Sequence, residues 1–540
     1  IKINNVMIKR HLNRRYPIDL DAWKSLKDHY RDDLKTNTIA SLFKSQRNRA
    51  SKFFIEAGDL KLDYSKNLLS HKTIKLLSKL AKETQVNESI ESMFSGACVN
   101  SSENRPALHV ALRSKLSDQI ALKVKDIDQV WSTQEKMGHF VTSLQSGAIS
   151  GFTGKNITSI VNIGIGGSDL GPSMAATALR DYWVEGMKYH SASNGDGVDL
   201  QDLLSELELE KTIFIVSSKS FSTKETTHNA ELARIAMIEK CGLRSLKYHF
   251  VGISNNEQAM DEFGIQEGYR FKIADWVGGR FSICSAIGLS LACVIGMQNF
   301  KKFLAGARRM DMHFRQAPFS ENMPMMLALI AIFNSNIIGT HSQAILTYSS
   351  RLKLFTSYLQ QLHMESLGKS TRTDGSDVSL ETGNIIWGGA ASDGQHSFYQ
   401  LLHQGTQIIP VDFILPALSK AKGENTYNQA NCLAQSEAMM DGFTSDEKDQ
   451  VHKGNIPSNT ILFDRVSPEI LGQLVALYEH KVFVQGVVFG INPFDQFGVE
   501  LGKKMADSMT KIIDKKESYI GKNLSTKNLM DIIKNYNNEA

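Results

Sequence analysis

The sequence predicts an α/β protein with two doubly wound parallel-sheet domains, a helical N-terminal layer and a C-terminal helical arm. Two observations carry the sheets: short apolar runs alternate with helical segments from about residue 121, and the alternation comes in two sets. Such alternation places helices on both faces of a parallel sheet. A third observation sets the ends: residues 1–120 and 506–540 are charged and helically spaced, without a strong strand signal.

In order, residues 1–120 show apolar positions at helical spacing (Leu76-Leu77, Leu80, Ile90, Met93-Phe94). They read as a layer packing on the second domain. The first domain, 121–290, carries candidate strands Ile160–Ile165, Thr212–Val216 and His249–Ile253, since β-branched and aromatic runs bounded by polar residues read as buried strands. The second, 291–505, repeats the pattern at Gln343–Tyr348, Asn384–Trp387 and Gln407–Phe413, before the 506–540 arm.

At 540 residues the chain exceeds one ordinary core. A net charge of +4 spread along it gives no nucleic-acid footprint, and Lys301-Lys302 with Arg308-Arg309 read as a solvated helix face. The five cysteines are scattered, with no C-x-x-C pair, as expected of reduced packing residues in a cytoplasmic protein. No apolar run has membrane-spanning length; Ile283–Met297 is interrupted by Ser and Gly, as a buried helix would be. Ile1–Tyr16 carries Lys and Arg with no signal-type apolar stretch after it, so no export signal is expected.

The stretch that suggests chemistry follows the strand at Thr212. Seven hydroxyl side chains lie between Ser217 and Thr227, with Lys219 and Lys224 among them and helical spacing from Asn229 to Lys240. A strand-to-helix turn of this kind offers free N–H groups, a positive dipole end and small donors, which suit a phosphate dianion. Ser and Thr also gather at N-caps unaided, but one or two would suffice for that. After the first strand, Gly164-Ile165-Gly166-Gly167-Ser168-Asp169 approaches a dinucleotide fingerprint, yet its third glycine is Asp169. The run fits either a backbone contact to a sugar or phosphate, or a tight strand-to-helix connection.

Four further groups stand out. Arg280, in Gly278-Gly279-Arg280-Phe281-Ser282 before a long apolar helix, opposes that helix's dipole. It therefore needs an anionic partner, either a structural carboxylate or a charge formed on a substrate. On a helix predicted over Arg351–Leu367, Gln361 and Glu365 are four apart and share a face. Glu365 reads either as a positioned proton acceptor or as a solvated, salt-bridged group. His396 is expected in the first turn of a helix opening at Ser392, where the dipole favours neutral imidazole; a capping or core His fits equally. Gln496 and Lys503 fall two turns apart on one predicted helix, where a lone Lys also reads as solvent-facing. No H-x-H, H-E-x-x-H or carboxylate-His cluster supports a metal, so none is expected.

Taken in order, Gly164–Pro172, Ser218–Thr226, Asp275–Ser282, Gln360–Ser366, Gly394-Gln395-His396 to Thr406 and Gln496–Lys503 resemble the metal-independent glucose-6-phosphate isomerases, or phosphoglucose isomerases. The blocks span about 160–503 in that family's order. The resemblance implies two sugar-isomerase domains and a homodimer with active sites at the subunit interface. It implies no cofactor, no nucleic acid and no membrane, and the interconversion of glucose 6-phosphate with fructose 6-phosphate in glycolysis and gluconeogenesis. By position, Glu365 would move a proton between C2 and C1, Arg280 would stabilise the enediolate, and His396 and Lys503 would assist ring opening. Ser218, Lys219 through its backbone, Ser220, Thr223 and Thr226 would hold the phosphate; Gly167, Ser168, Gln361 and Gln496 would line the sugar. The sequence departs from the family pattern at Leu362-His363 (Gly-Asp expected), Leu367 (Asn), Phe497 (Trp) and Ser220 (Thr). Two other readings stand beside it: a sugar-phosphate sensor using the hydroxyl loop without catalysis, and a nicotinamide-dependent dehydrogenase resting on the glycine run.

Overall fold

The computed structural model describes residues 16–122, 124–418, 425–514 and 521–539. The Ile1–Tyr16 segment, where no export signal is expected, lies outside them except for Tyr16. Among the described residues no helix is long and apolar enough to cross a membrane. The chain divides into two compact units, Ile1–Pro493 and Phe494–Ala540.

Within the larger unit there are two sheets. A hairpin of β1 (Phe54–Ala57) and β2 (Leu60–Asp63) comes first, then β3 (Ser159–Ile163), β4 (Lys188–Ala192), β5 (Thr212–Ser217), β6 (Phe250–Ile253) and β7 (Arg270–Phe271). The remaining strands are β8 (Ser342–Thr347), β9 (Ile385–Ala390), β10 (Val411–Pro416) and β11 (Ser458–Phe463). The first sheet is parallel, ordered β4-β3-β5-β6-β7. The second is ordered β1-β2-β11-β10-β8-β9, with β8–β11 parallel and the hairpin added antiparallel along β11. This is the doubly wound architecture expected.

The N-terminal layer differs from the expectation in not being wholly helical. Ile55, Ala57, Leu60 and Leu62 are buried while Glu56 and Lys61 face out, a period of two across an Ala-Gly-Asp-Leu turn that helical spacing on either side obscures. Strands β4, β7 and β11 carried no clear signal either. β4 is a half-exposed edge strand reading Lys-Tyr-His-Ser-Ala, and β7 has two residues. The Lys301-Lys302 and Arg308-Arg309 group lies on the helix Met297–Gln316, where Lys302, Arg308 and Arg309 pair with Glu469, Asp118 and Asp59. All five cysteines are free thiols.

The helix Pro468–Phe489 is the axis of this unit: residue after residue is buried, including Glu479, His480 and Lys481. Gly472 on it meets the Phe303 carbonyl and Gly306 meets the Glu469 carbonyl, so backbone packs on backbone where it crosses Met297–Gln316. Buried charge survives only when partnered. Arg113 donates to both Asp311 oxygens at 2.7 Å and to Glu479 Oε2 at 2.6 Å, and His480 Nε2 lies 2.7 Å from Asp311 Oδ1. Lys481 donates to Gln343 at 3.1 Å and to Asp412 at 3.4 Å, while Tyr478 and Asn459 also donate to Asp412.

Burial acts to raise the Asp311 pKa, but Arg113 and His480 outweigh it and bring the carboxyl down to about 2. A depressed carboxylate contributes stability that is complete above its ordinary value of 3.8 and is lost as pH falls towards 2. Asp311→Asn leaves Arg113 under-compensated and is expected to cost about 3–5 kcal/mol at pH 7. The difference from wild type should shrink as pH falls below 4 towards 2, which urea unfolding across that range measures.

Candidate active site

The first sheet's order is second, first, third, fourth, fifth along the chain, so the connections leaving β3 and β5 diverge and open a crevice at their carboxyl ends. The glycine run follows β3 and the hydroxyl stretch follows β5, so the two candidate loops are neighbours there.

Gly166 has φ +59°, a left-handed conformation that glycine adopts freely, and a Cβ on it would sit 3.2 Å from Gln361 Nε2. Gly167 is pressed onto the Arg280 turn: a Cβ there would collide with the Gly279 carbonyl and approach Arg280 N to 2.7 Å. Ser168 is tied back through its carbonyl, which accepts from Asn162 Nδ2 at 3.0 Å. The glycine run thus both turns the chain and carries the backbone on which Arg280 rests.

The hydroxyl loop leads into a helix that begins at Lys224, five residues before Asn229, and no side chain caps it. That disfavours capping as the reason for so many hydroxyls. Phe221 holds φ +52°, costly for an aromatic residue, and its buried ring packs edge-on at 5.8 Å from Phe263. Ser254, Asn255 and Asn256 take up the loop's carbonyls. The Lys219 carbonyl accepts from Asn255 N at 3.0 Å and Ser254 Oγ at 3.1 Å, and the Ser220 carbonyl from Asn256 Nδ2 at 3.2 Å. Ser218 Oγ lies 3.2 Å from Thr223 Oγ1, and Thr226 Oγ1 is buried with no hydrogen-bond partner among the described residues. Carbonyls turned back and an unspent hydroxyl at an uncapped helix start are features that suit an anion.

Arg280 lies in a short turn, Gly279–Phe281, and the apolar helix starts only at Leu289. The expected conflict with that helix's dipole therefore does not arise, because Ser282 to Gly288 intervene. The fully buried guanidinium instead donates from Nε to Ser366 Oγ at 2.6 Å and from Nη2 to the Pro493 carbonyl at 2.6 Å. Its Nη1 lies 3.6 Å from Glu365 Oε2. The carboxylate expected as a partner is thus the candidate base itself.

The predicted helix over Arg351–Leu367 is broken into a turn, an α-helix Phe355–Gln360 and a π-turn Gln361–Glu365. In the wider turn Glu365 falls just short of a full circuit from Gln361, so the two still share a side. Gln361 Oε1 and Glu365 Oε2 are buried and accept no hydrogen bond among the described residues. Leu362, His363 and Leu367 face the core, where burial, with Lys481 nearby, takes the His363 pKa down to about 3. Ser366, which sequence reasoning left unassigned, links the Glu365 turn to Arg280; the one signal for it was its place beside Glu365.

Three residues stand otherwise than expected. His396 is exposed at the C-terminal end of the short helix Ala391–Gln395, because the Ser397 and Phe398 amides both turn back to the Gly394 carbonyl and close the helix there. The helix-dipole argument for a neutral imidazole does not hold at that end. In the smaller unit, Gln496 precedes a separate turn, Phe497–Val499, and the helix begins at Glu500. Gln496 and Lys503 are therefore not on one helix face; Lys503 is exposed, 3.4 Å from Glu500.

The Glu365 carboxylate of the second sheet's segment thus stands beside the Arg280 cation of the first, and the hydroxyl loop is bonded through Lys219 to the turn that carries that cation. Residues 63–530 match the family model for phosphoglucose isomerase. The chain belongs to the phosphoglucose isomerase family. It is 45% identical over 535 residues to a glucose-6-phosphate isomerase of Pseudomonas fluorescens (strain Pf0-1), covering 95% of this chain and 96% of that protein. It is 42% identical to one of Pseudomonas aeruginosa (strain LESB58), covering 98% and 99%. A crystal structure of a glucose-6-phosphate isomerase from Chlamydia trachomatis superposes with a TM-score of 0.85 at 30% identity, over 97% of this chain and 100% of that one.

Family membership gives the contact between Gly167 and Arg280 a measurable consequence. Gly167→Ala forces the Gly279-Arg280 backbone away, and displacements near 1 Å cost about 100-fold in rate. A kcat at least about 10-fold lower is expected, with a lower melting temperature because backbone and not a flexible side chain must move, as steady-state kinetics and calorimetry will show.

Proposed function

We propose that this chain interconverts glucose 6-phosphate and fructose 6-phosphate through an enediolate, in glycolysis and gluconeogenesis, with Glu365 as the base. The observation that carries this reading is the Glu365 carboxylate, whose Oε2 accepts no hydrogen bond among the described residues and lies 3.6 Å from the buried Arg280 guanidinium.

In the open-chain aldose, Glu365 takes the proton from C2. The C2–H electron pair becomes the C1–C2 double bond, and negative charge moves onto the C1 oxygen. A preorganised cation at that oxygen lowers the barrier by several kcal/mol, which is Arg280's part. Return of the proton to C1, with transfer of the hydroxyl proton from the C2 oxygen to the C1 oxygen, gives the ketose. Ser218, Ser220, Thr223, Thr226 and the Lys219 backbone grip the phosphate, so binding remote from C1 and C2 orients the reacting carbons. Gly167, Ser168, Gln361 and Gln496 line the sugar, and His396 and Lys503 assist ring opening.

A homodimer with shared sites is part of the same reading. It is supported by the exposure of His396, and by Phe497, Leu501, Leu524 and Tyr536, which leave large apolar surface open on the smaller unit. The two sheets form the cores of the proposed sugar-isomerase domains, 121–290 and 291–505, and the five free thiols fit the cytoplasm.

A sensor has no use for a half-buried carboxylate with an unspent oxygen. For a dehydrogenase, the missing third glycine is decisive: Asp169 is buried and accepts from Ser173 at 2.7 Å and from Ser191. In a coupled assay with EDTA present, wild-type protein is expected to equilibrate the two hexose phosphates. Glu365→Gln should lose at least about 1,000-fold in kcat while binding a sugar-phosphate analogue normally; full activity in that variant would remove Glu365 from its role.

A further inference from the structure

The Lys219 ammonium is turned out of the phosphate cradle. Its Nζ donates to the Asp275 carbonyl at 2.7 Å and to the Val277 carbonyl at 3.4 Å, with Asp275 Oδ1 at 3.8 Å. These carbonyls stand five and three residues before Arg280, with only Gly278 and Gly279 between Val277 and Arg280. Asn255 reinforces the junction from behind: its N–H donates to the Lys219 carbonyl at 3.0 Å and its Nδ2 to Asp275 Oδ1 at 3.1 Å. Its own Oδ1 accepts from Ile273 N at 3.0 Å.

We propose that Lys219 is a positioning residue whose side chain ties the phosphate loop to the Arg280 turn, so that the phosphate held by the loop and the cation at the sugar's reacting oxygen keep a fixed spacing. This rests on the isomerase reading above. A lysine in a hydroxyl-rich loop is ordinarily read as a charge for the phosphate. Here two carbonyls hold its ammonium, while the backbone of the same residue stays in the cradle. Lysine suits the task because its ammonium has three donors on a four-carbon stem, enough for both carbonyls at once. The Gly278-Gly279 pair that follows has no side chain to brace it, so the Arg280 turn depends on contacts such as this one and the Gly167 contact for its place.

The test is Lys219→Met, which keeps the backbone N–H groups and removes the tether. It is read by the split between kcat and KM and by the Ki of inorganic phosphate as a competitive inhibitor. The expected result is a kcat at least about 10-fold lower with the phosphate Ki changed less than about 3-fold. Lys219→Gln, an uncharged donor of similar reach, should recover part of kcat, and it serves as the test variant should the Met variant not fold. A phosphate Ki that rises in step with KM while kcat holds would overturn the proposal in favour of direct charge contact. Unchanged kinetics in both variants would overturn it outright. Failure of the isomerase reading is distinguishable, because it would appear as wild-type protein that does not equilibrate the two hexose phosphates, whatever Lys219 does.

Discussion

The arrangement around Arg280 governs the rest of the structure. A guanidinium removed from water costs several kcal/mol unless its donors are met, and the acceptors that meet this one come from distant parts of the chain. Ser366 Oγ follows the π-turn in the second half, the Pro493 carbonyl closes the larger unit, and Glu365 stands 3.6 Å from Nη1. The charge is thus held in place while the neighbouring carboxylate keeps an oxygen uncommitted. A proton acceptor and a cation for developing negative charge can share one small volume only if both are fixed before substrate arrives.

That fixing explains why the two sheets share one compact unit. The hydroxyl loop and the Arg280 turn belong to the first sheet, and Glu365 to a segment following β8 of the second. The helix Pro468–Phe489 runs through the core against the helices Met297–Gln316 and Met323–Phe333. Its Glu479 and His480 are bound to Arg113 and Asp311, and its Lys481 to Asp412 on β10. These buried pairs add little net stability for their desolvation, but a helix carrying three ionisable side chains in a row can lie in only one register where each finds its partner.

Much of this was legible in the sequence because the local signals there are strong. Strands β3, β5 and β8 are continuous apolar runs, and the glycine run, the hydroxyl stretch and Glu365 lie where element-by-element reading puts them. What escaped was set by tertiary context. The β1–β2 hairpin is too short to outweigh the helical spacing around it. The π-turn at Gln361–Glu365 cannot be told from an α-helix by periodicity. The early start of the helix at Lys224 depends on Phe221 accepting a left-handed backbone so that its ring can be buried. For His396 and Gln496 the expected local geometry was not met, since Gly394 ends one helix early and a separate turn precedes the other.

The most direct measurement of the central claim is a crystal structure with a hexitol 6-phosphate bound. The phosphate oxygens should lie on the amides and hydroxyls of Ser218–Thr226, with C1 and C2 between the Glu365 carboxylate and the Arg280 guanidinium. A phosphate seated elsewhere, or a sugar whose C1 and C2 lie beyond reach of Glu365, would contradict the account.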